Sequence, residues 1–230
     1  MLSLWTTMRI PISFPSVVYG TLLNDRATLE RMAQAMGQPP HKAPPVAPVL
    51  YIKTANTYAA PGADVAVPAD PGVVRIDAAL GVVFRRDATR VRESQAHDYV
   101  AGYLIASDVT LPHDNYYRPP LRERCRDGFC PMTACLSPGA DFDADHAEIA
   151  IAINGRIVHR RNLESLVRPI ARLIADVTEY MTIPAGGVLL VGTPEDAPLA
   201  YPGDEVRIDV AGLGSLTHRL VAQISDGEST

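Results

Sequence analysis

The 230-residue chain has no apolar run near the roughly 18 residues of a membrane-spanning helix. It also lacks a lysine- or arginine-rich run, and its formal net charge at pH 7 is -5. This charge gives no electrostatic reason to bind nucleic acid. Its 47% hydrophobic and 20% charged residues are typical of a globular protein with an ordinary core. We therefore expect neither a membrane nor a nucleic acid as a partner.

Cysteine is scarce, and its pattern excludes two kinds of site. The three cysteines, an odd number, are Cys125, Cys130 and Cys135. A disulfide-rich secreted domain favours more cysteines in an even number. Steps of five residues also differ from the C-x-x-C spacing of zinc sites. We interpret the three as reduced thiols of a cytoplasmic protein.

The chain shows no internal repeat and no linker, so its length predicts one domain over residues 18–230. Residues 1–17 have neither a basic start nor a small-residue cleavage site. We expect them to form a leader segment, or to follow an early start codon with Met8 as the alternative first residue. Twenty prolines and sixteen glycines indicate many short elements joined by turns.

Residue patterning predicts about eight short strands with two or three helices, a mainly β (α+β) domain. Asn24 and Asp25 are candidate caps of a helix that Gly37 ends. Ser94 is a candidate cap of a short helix that extends through Tyr99.

The second half of the chain contains a clear turn signal and a long helical pattern. Asn154-Gly155 lies between alternating apolar residues and predicts a β-hairpin. Asn162 is predicted to cap an amphipathic helix from Leu163 to Val177, bent at Pro169. The polar, proline-broken segment 111–131 predicts a functional loop.

Five stretches, in order and spacing, resemble the fumarylacetoacetate hydrolase superfamily over residues 18–222. They are LLNDRATLE, YIKTANTYAAPGADVAVP, RIDAALGVVF, HDYVAGYLIASDV and GGVLLVGTPEDAPLAYPGDEVRIDVAGLGSL. The resemblance implies the mixed β-sheet roll of that superfamily's C-terminal domain. It also implies pairing of the chain as a dimer.

The stretch NYYRPPLRERCRDGFCPM resembles the Y-R-P…R-D-G…P motif of the homoprotocatechuate-pathway decarboxylase/isomerases. HKAPP at residues 41–45 is similar to their N-terminal half. The resemblance implies decarboxylation of 5-oxopent-3-ene-1,2,5-tricarboxylate and isomerisation of 2-hydroxyhepta-2,4-diene-1,7-dioate, in the degradation of 4-hydroxyphenylacetate. It implies a small dicarboxylate or tricarboxylate as ligand, and a homodimer or a heterodimer with a paralogous subunit.

Superfamily members hold Mg²⁺ or Mn²⁺ with three carboxylates, two from an E-x-E strand and one from a following N-D. Here the corresponding residues are Asp77, Ala79 and Asp108. The resemblance implies Asp77 and Asp108 as metal ligands. Because Ala79 removes one carboxylate and Asp77 is shorter than glutamate, we expect weak or absent metal binding. Asp77 at a turn or strand edge, hydrogen-bonded locally, is the structural alternative.

Hydrolytic members of the superfamily use a histidine of the opening helix as a base, and Thr28 takes that position here. Their arginine–aspartate step after N-D is also absent. Both differences disfavour a hydrolase that cleaves carbon–carbon bonds. His113, in the same region, is a candidate base or an ordinary surface histidine.

The remaining candidates are cationic or aromatic side chains in the matching motifs. The resemblance places Arg124 where the superfamily has a catalytic-site lysine, and Thr193 where it has a substrate-contacting threonine. Guanidinium groups suit substrate carboxylates and a dienolate. The candidate catalytic residues are Arg124, Tyr117 and Arg118; the candidate substrate-binding residues are Lys53, Thr193 and Arg126.

Each of these arginines has ordinary surface ion pairing as its alternative. We expect loss of Arg124, as a loop residue, to leave the fold intact. Two alternatives to the decarboxylase/isomerase interpretation remain open. One is a catalytically silent scaffold subunit that pairs with a metal-competent paralogue, and the other is a different ketoacid enzyme of the superfamily.

Overall fold

A computed structural model of the protein describes residues 14–38, 43–113, 119–194 and 196–224. The predicted leader, residues 1–17, therefore lies largely outside the described residues. In chain order the strands are β1 (Val18–Leu22), β2 (Val49–Lys53), β3 (Tyr58–Ala59), β4 (Asp64–Val67), β5 (Val74–Phe84), β6 (Val100–Thr110), β7 (Cys130–Pro131), β8 (Glu148–Ile153), β9 (Arg156–Asn162), β10 (Val188–Leu190), β11 (Leu199–Ala200), β12 (Glu205–Val210) and β13 (Gly214–Ala222).

The helices of these ranges are few and short. The α-helices are α1 (Arg26–Met36), α2 (Leu121–Arg124) and α3 (Ile170–Thr178). Short 3₁₀ helices cover Ala55–Thr57, Glu93–Tyr99, Ala144–His146 and Leu163–Ser165. The prediction of a mainly β domain with two or three helices is confirmed, although the strands are more numerous than the sequence indicates. None of the helices in the described residues is long and apolar enough to cross a lipid bilayer.

The strands form two larger sheets and one short pair. In the first sheet β6 pairs with one edge of β5, and β10 and β11 pair with the other edge, followed by β1 and β2. The second sheet has the order β4-β13-β12-β8-β9. Both sheets mix parallel and antiparallel pairs, since β1 runs parallel to β10 and β4 parallel to β13.

The long pair β5 and β6 separates two cores, because successive side chains of a strand face opposite sides. One face, with Ile76, Leu80 and Ile105, packs against apolar residues of the second sheet. Full burial of each such side chain contributes about 1.5–3 kcal/mol. The other face, with Ala79 and Ala106, packs in a smaller cluster that includes β7. The candidate site lies on this second face.

One edge of β5 is incompletely paired. β10 pairs with residues 81–83 of β5, and β11 pairs with residues 74–75. Between these strands the chain leaves the sheet after Val191, which donates to the Leu80 carbonyl, and returns at Pro198, whose carbonyl accepts from Ile76. A gap in strand pairing therefore faces the middle of β5.

Two helix predictions were wrong in detail. Ser94 does not cap the turn over Glu93–Tyr99, because Arg92 occupies the cap position without a side-chain hydrogen bond. Asn162 caps only the 3₁₀ turn, where its side chain accepts from the Glu164 amide. Pro169 does not bend a continuous helix but precedes α3, consistent with the restricted backbone around proline.

Candidate active site

The site is centred on two carboxylates that face each other across the central strand pair. Asp77 of β5 and Asp108 of β6 are directly opposed in the antiparallel register. Both are almost fully buried, with 2% and 0% of their surface exposed. Like charges directly opposite each other destabilise a sheet, so the surroundings must neutralise at least one of them. The structure places Asp77 inside a central strand, not at the turn or strand edge of the structural alternative.

Asp108 is neutralised by two buried cations. The Lys53 Nζ lies 2.6 Å from Asp108 Oδ1, and the Arg124 Nη1 donates to Asp108 Oδ2 at 2.9 Å. Burial alone would raise the pKa of Asp108, but the positive charges of Lys53 and Arg124 outweigh it and lower that pKa. Asp108 is therefore held as a carboxylate.

Lys53 is committed to the protein itself. Its Nζ also donates to the carbonyl oxygens of Val109 at 3.0 Å and Arg124 at 2.8 Å. Two of the three donors of the ammonium group are therefore used by backbone carbonyls, and its charge is paired with Asp108. The substrate contact predicted for Lys53 stays a prediction; in the structure this residue holds Asp108 and the end of α2 together.

Arg124 retains an unused donor in the site. It ends α2, is buried, and its guanidinium carbon lies 4.5 Å from the centre of the Tyr51 ring. Its Nε is buried and has no hydrogen-bond partner among the described residues. A buried donor without an acceptor is unfavourable, so a ligand oxygen at this nitrogen would be stabilising.

Tyr51 completes the cluster, and Gly20 makes room for it. The Tyr51 hydroxyl donates to Asp108 Oδ2. Burial, followed by the charge of Asp108, raises the pKa of Tyr51 well above its usual value, so the phenol keeps its proton. A Cβ built on Gly20 would lie 2.0 Å from the Tyr51 ring, so a larger residue at position 20 would displace the ring.

Asp77 is the less stabilised of the two carboxylates. Burial, followed by the charge of Asp108, raises the pKa of Asp77 to about 7, while Arg124 and Arg161 act in the opposite direction. Its Oδ1 is buried and has no hydrogen-bond partner in the described part of the chain.

These residues do not fit a hard divalent cation. Ala79, in the position of the missing carboxylate, is fully buried against apolar side chains. Asp108 Oδ2 accepts from Arg124, and Asp108 Oδ1 lies 2.6 Å from the Lys53 ammonium group, so protein cations already compensate this carboxylate. Within the ranges that the structure describes, no group of three or more His, Cys, Asp or Glu side chains is placed to hold a metal. The charge that a metal would supply near Asp108 comes here from Arg124 and Lys53.

A second structured region borders the gap beside β5. Thr193 is buried and follows Gly192, whose φ of 129° belongs to a region that favours glycine. The Arg161 Nη2 donates to the Gly192 carbonyl at 2.6 Å and to the Ala78 carbonyl at 3.4 Å. Asn24 donates to the Val191 carbonyl at 2.8 Å. Thr193 is therefore held in a braced loop beside this gap, and its contact with substrate stays a prediction.

Other candidates lie elsewhere or outside the described residues. Arg126 donates to the exposed Gln223 at 3.1 Å and lies over the Phe129 ring, so its predicted substrate contact has no support in this geometry. Tyr117 and Arg118 lie outside the described residues. Thr28 donates to Asp25 Oδ1 at 3.0 Å inside the cap of α1.

Two residues of the site were missed at the level of sequence. Tyr51 precedes Lys53 by two positions on β2, and that spacing indicates a shared face, so it could have been found. Arg161 lies in the hairpin strand β9 and belongs to no motif. Only the fold brings it to Ala78.

Comparisons with known proteins agree with this architecture. The model of the family described as fumarylacetoacetate (FAA) hydrolase C-terminal matches residues 17–221. The 4-hydroxyphenylacetate degradation bifunctional isomerase/decarboxylase of Salmonella dublin is 36% identical over 206 residues. That match covers 90% of this chain and 47% of the relative, so the chain spans about half the relative's length.

Solved structures show the same fold. The 5-carboxymethyl-2-hydroxymuconate delta-isomerase from Mycobacterium smegmatis is similar with a TM-score of 0.78 and 28% identity, over 92% of this chain and 81% of that chain. The maleylpyruvate hydrolase from Sphingobium sp. SYK-6, solved in complex with manganese(II) ion and pyruvate, has a TM-score of 0.74 and 22% identity, over 91% and 72% of the two chains. At that identity the second similarity supports the fold alone.

Proposed function

This chain belongs to the fumarylacetoacetate hydrolase C-terminal family, and on that premise we propose that it is a decarboxylase/isomerase subunit. Its proposed substrates are unsaturated oxo-acids with several carboxylates, namely 5-oxopent-3-ene-1,2,5-tricarboxylate and 2-hydroxyhepta-2,4-diene-1,7-dioate. The 36% identity to a bifunctional isomerase/decarboxylase supports this substrate class. The free state of all three cysteines supports a reducing, cytoplasmic location.

The observation that carries the proposal is the buried Arg124. It is fixed by Asp108 and the Tyr51 ring, and its Nε has no partner among the described residues. A preorganised guanidinium donor in a buried site stabilises an oxyanion more strongly than the same group in water.

The decarboxylation needs a group that stabilises an oxyanion when CO₂ is lost. When CO₂ leaves, the bond to the departing carboxylate breaks and its electron pair moves along the conjugated chain to the oxo oxygen. The product is a dienolate, whose negative charge Arg124 would stabilise. A proton then adds to the dienolate; Tyr117 is our candidate donor, and Arg118 our candidate contact to a carboxylate. Because Asp77 and Asp108 do not fit a divalent cation, no step is assigned to a metal.

A second candidate function is a catalytically silent scaffold subunit. Ala79 and the pairing of Asp108 with protein cations favour it, since the chain lacks the three free carboxylates of a metal-competent partner. In this alternative Lys53 and Arg124 maintain the fold through Asp108, and the paralogue catalyses the reaction.

The two functions are separated by assaying the purified chain with 5-oxopent-3-ene-1,2,5-tricarboxylate, alone and after mixing with an intact E-x-E paralogue. CO₂ release by the chain alone supports the decarboxylase. Release that appears only in the mixture, and that survives Arg124→Ala in this chain, supports the scaffold. Turnover of fumarylacetoacetate at about 1 s⁻¹ or faster would contradict both.

A further inference from the structure

Arg161 reaches from an edge strand into the first sheet. β9 is the last strand of the second sheet, and most of its side chains are exposed. Arg161 instead extends towards the pairing gap of β5, where its Nη2 binds the Gly192 and Ala78 carbonyls. Ala78 adjoins Asp77, and Gly192 adjoins the predicted substrate contact Thr193. The guanidinium therefore connects the two parts of the candidate site.

Most donors of this guanidinium are unused. Its Nε and Nη1 are buried and have no hydrogen-bond partner in the described part of the chain. Together these two nitrogens carry three N–H groups. Arg124 is bound to Asp108, which faces Asp77 across the strand pair, and Arg161 is bound to the carbonyl of Ala78, next to Asp77.

Arg161 also lines an open cleft, whose other charged groups have partners. Asp196 lies 3.8 Å from Arg31 and 3.4 Å from His159. Glu164 lies 3.4 Å from His146.

The remaining two charges of the cleft are likewise engaged. Asp25 accepts from the Thr28 amide and from Ser165, and Arg160 pairs with Glu148. Among the described residues of this cleft, Arg161 is therefore the charged residue that has two buried nitrogens without a hydrogen-bond acceptor.

We propose that Arg161 binds the distal carboxylate of a dicarboxylic oxo-acid, while Arg124 binds its oxo-acid end. A carboxylate offers the acceptors that Nε and Nη1 lack, and charge-assisted bonds of this kind are among the strongest in proteins. Arg161 then selects diacids over monoacids. This inference rests on the proposed function, because it assumes that the site near Arg124 takes an oxo-acid.

The test compares two acids of equal chain length by calorimetry on the full chain. 2-Oxoadipate has a distal carboxylate, and 2-oxohexanoate has a methyl group in its place. We expect the wild type to bind 2-oxoadipate roughly 10- to 100-fold more tightly. Arg161→Gln should weaken binding of 2-oxoadipate far more than binding of 2-oxohexanoate and so abolish the preference, and Arg161→Lys should restore part of it.

Two further variants separate failure of the Arg161 subsite from failure of the oxo-acid site near Arg124. Arg156→Gln makes the same change at an exposed position of β9 and should retain the preference. Arg124→Ala should weaken both acids.

Three outcomes would overturn the inference. A preference that survives Arg161→Gln overturns the subsite and leaves the proposed function standing. Equal weakening of both acids by Arg161→Gln assigns Arg161 to bracing the Thr193 loop instead. Absence of binding of either acid to the wild type overturns the oxo-acid site together with the subsite.

Discussion

Asp108 shows how tightly the chemistry of single residues is coupled in this site. Its carboxylate is held by Lys53, Arg124 and Tyr51, and each of these three groups also contacts another member of the cluster or the adjoining backbone. Removing one partner of a buried charge pair typically costs about 3–5 kcal/mol, because the other charge stays buried without compensation. The sequence placed Arg124 in a loop whose loss the fold would tolerate. The structure instead places Arg124 at the end of α2 with its side chain buried, so we expect its loss to lower stability as well.

Arg124→Ala should lower kcat/KM for the tricarboxylate by roughly 30- to 1,000-fold, because a fixed oxyanion donor is lost. Arg124→Lys should recover part of the activity, since a point charge replaces the planar fork only incompletely. Steady-state kinetics and thermal melts of both variants test this. Arg219→Ala breaks an exposed arginine–aspartate pair with Asp64 and is the control. Unchanged turnover in Arg124→Ala, with a normal melt, would remove Arg124 from the site.

His218 should make the protein sensitive to acid. It is fully buried and lies 2.9 Å from Ser107, and burial lowers the pKa of His218 to about 4. The unfolded chain binds a proton at this histidine near pH 6.5, whereas the folded chain does so only near pH 4. Its contribution to stability is therefore complete above pH 6.5 and is lost as pH falls towards 4.

Between pH 7.5 and 4.5 this loss amounts to about 2–3 kcal/mol, and His218→Gln should abolish it. Denaturant unfolding of the wild type and the variant at both pH values measures the difference. Because the pKa of Asp77 is raised to about 7, protonation of this carboxyl increases stability as the pH falls. This contribution is the same in the wild type and in His218→Gln, so it cancels in the difference between them. His97→Gln, at an exposed position, is the control, and equal acid sensitivity of wild type and His218→Gln would refute the prediction.

At the scale of elements, the local features of the fold were predictable. Asn154-Gly155 forms the turn between β8 and β9, with φ angles of 52° and 77°. A two-residue hairpin turn needs this left-handed backbone, which the dipeptide itself supplies. Asp25 caps α1 through the Thr28 amide, again within one turn of chain.

Contacts between residues that are far apart in the sequence were harder to predict. The cation pairs of Asp108 join β2, α2 and β6, and Arg161 binds a carbonyl 83 positions away in sequence. The superfamily motifs indicated Lys53, Arg124 and Asp108 together, but periodicity alone cannot show that their charges meet. It cannot show either that Lys53 also donates to two backbone carbonyls. Such contacts follow from tertiary packing, which the local pattern does not contain.

The hairpin turn offers a direct test of backbone strain. Gly155→Ala should destabilise the protein by about 1–2 kcal/mol, because alanine is disfavoured at a φ of 77°. Gly139→Ala is the matched control. An added Cβ meets no atom within 4 Å at either position, but Gly139 does not have a positive φ. The free energies of unfolding of both variants measure the effect, and equal losses would contradict the strain argument.

The face of β5 that carries Asp77 should bind Mg²⁺ or Mn²⁺ only weakly. Ala79 supplies no ligand, and the protein's own cations engage Asp108. Calorimetric titration should show no tight stoichiometric site in the wild type. Asp77→Glu with Ala79→Glu places two longer carboxylates on one strand face and should strengthen binding. A tight site in the wild-type chain would contradict this prediction.

At the scale of the whole molecule, the chain spans about half the length of its bifunctional relative. We propose that this fold pairs with a second fold of the same kind, either another copy or a paralogue. Exposed apolar side chains near the site agree with this expectation. Ile52, 49% exposed, separates Tyr51 from Lys53, and Leu121, 57% exposed, begins the helix that ends at Arg124.

Light scattering should therefore show twice the mass of one chain, for this protein alone or after mixing with a paralogue that has an intact E-x-E. Burial of Ile52 and Leu121 in the contact would exclude water beside Arg124 and strengthen its interaction with an oxyanion. Ile52→Ser with Leu121→Ser should then weaken association and lower turnover together. Val46→Ser, which changes an almost fully exposed residue, is the control. A monomer in both samples would refute the dimer. A dimer that the double variant leaves intact would show that these two side chains lie outside the contact.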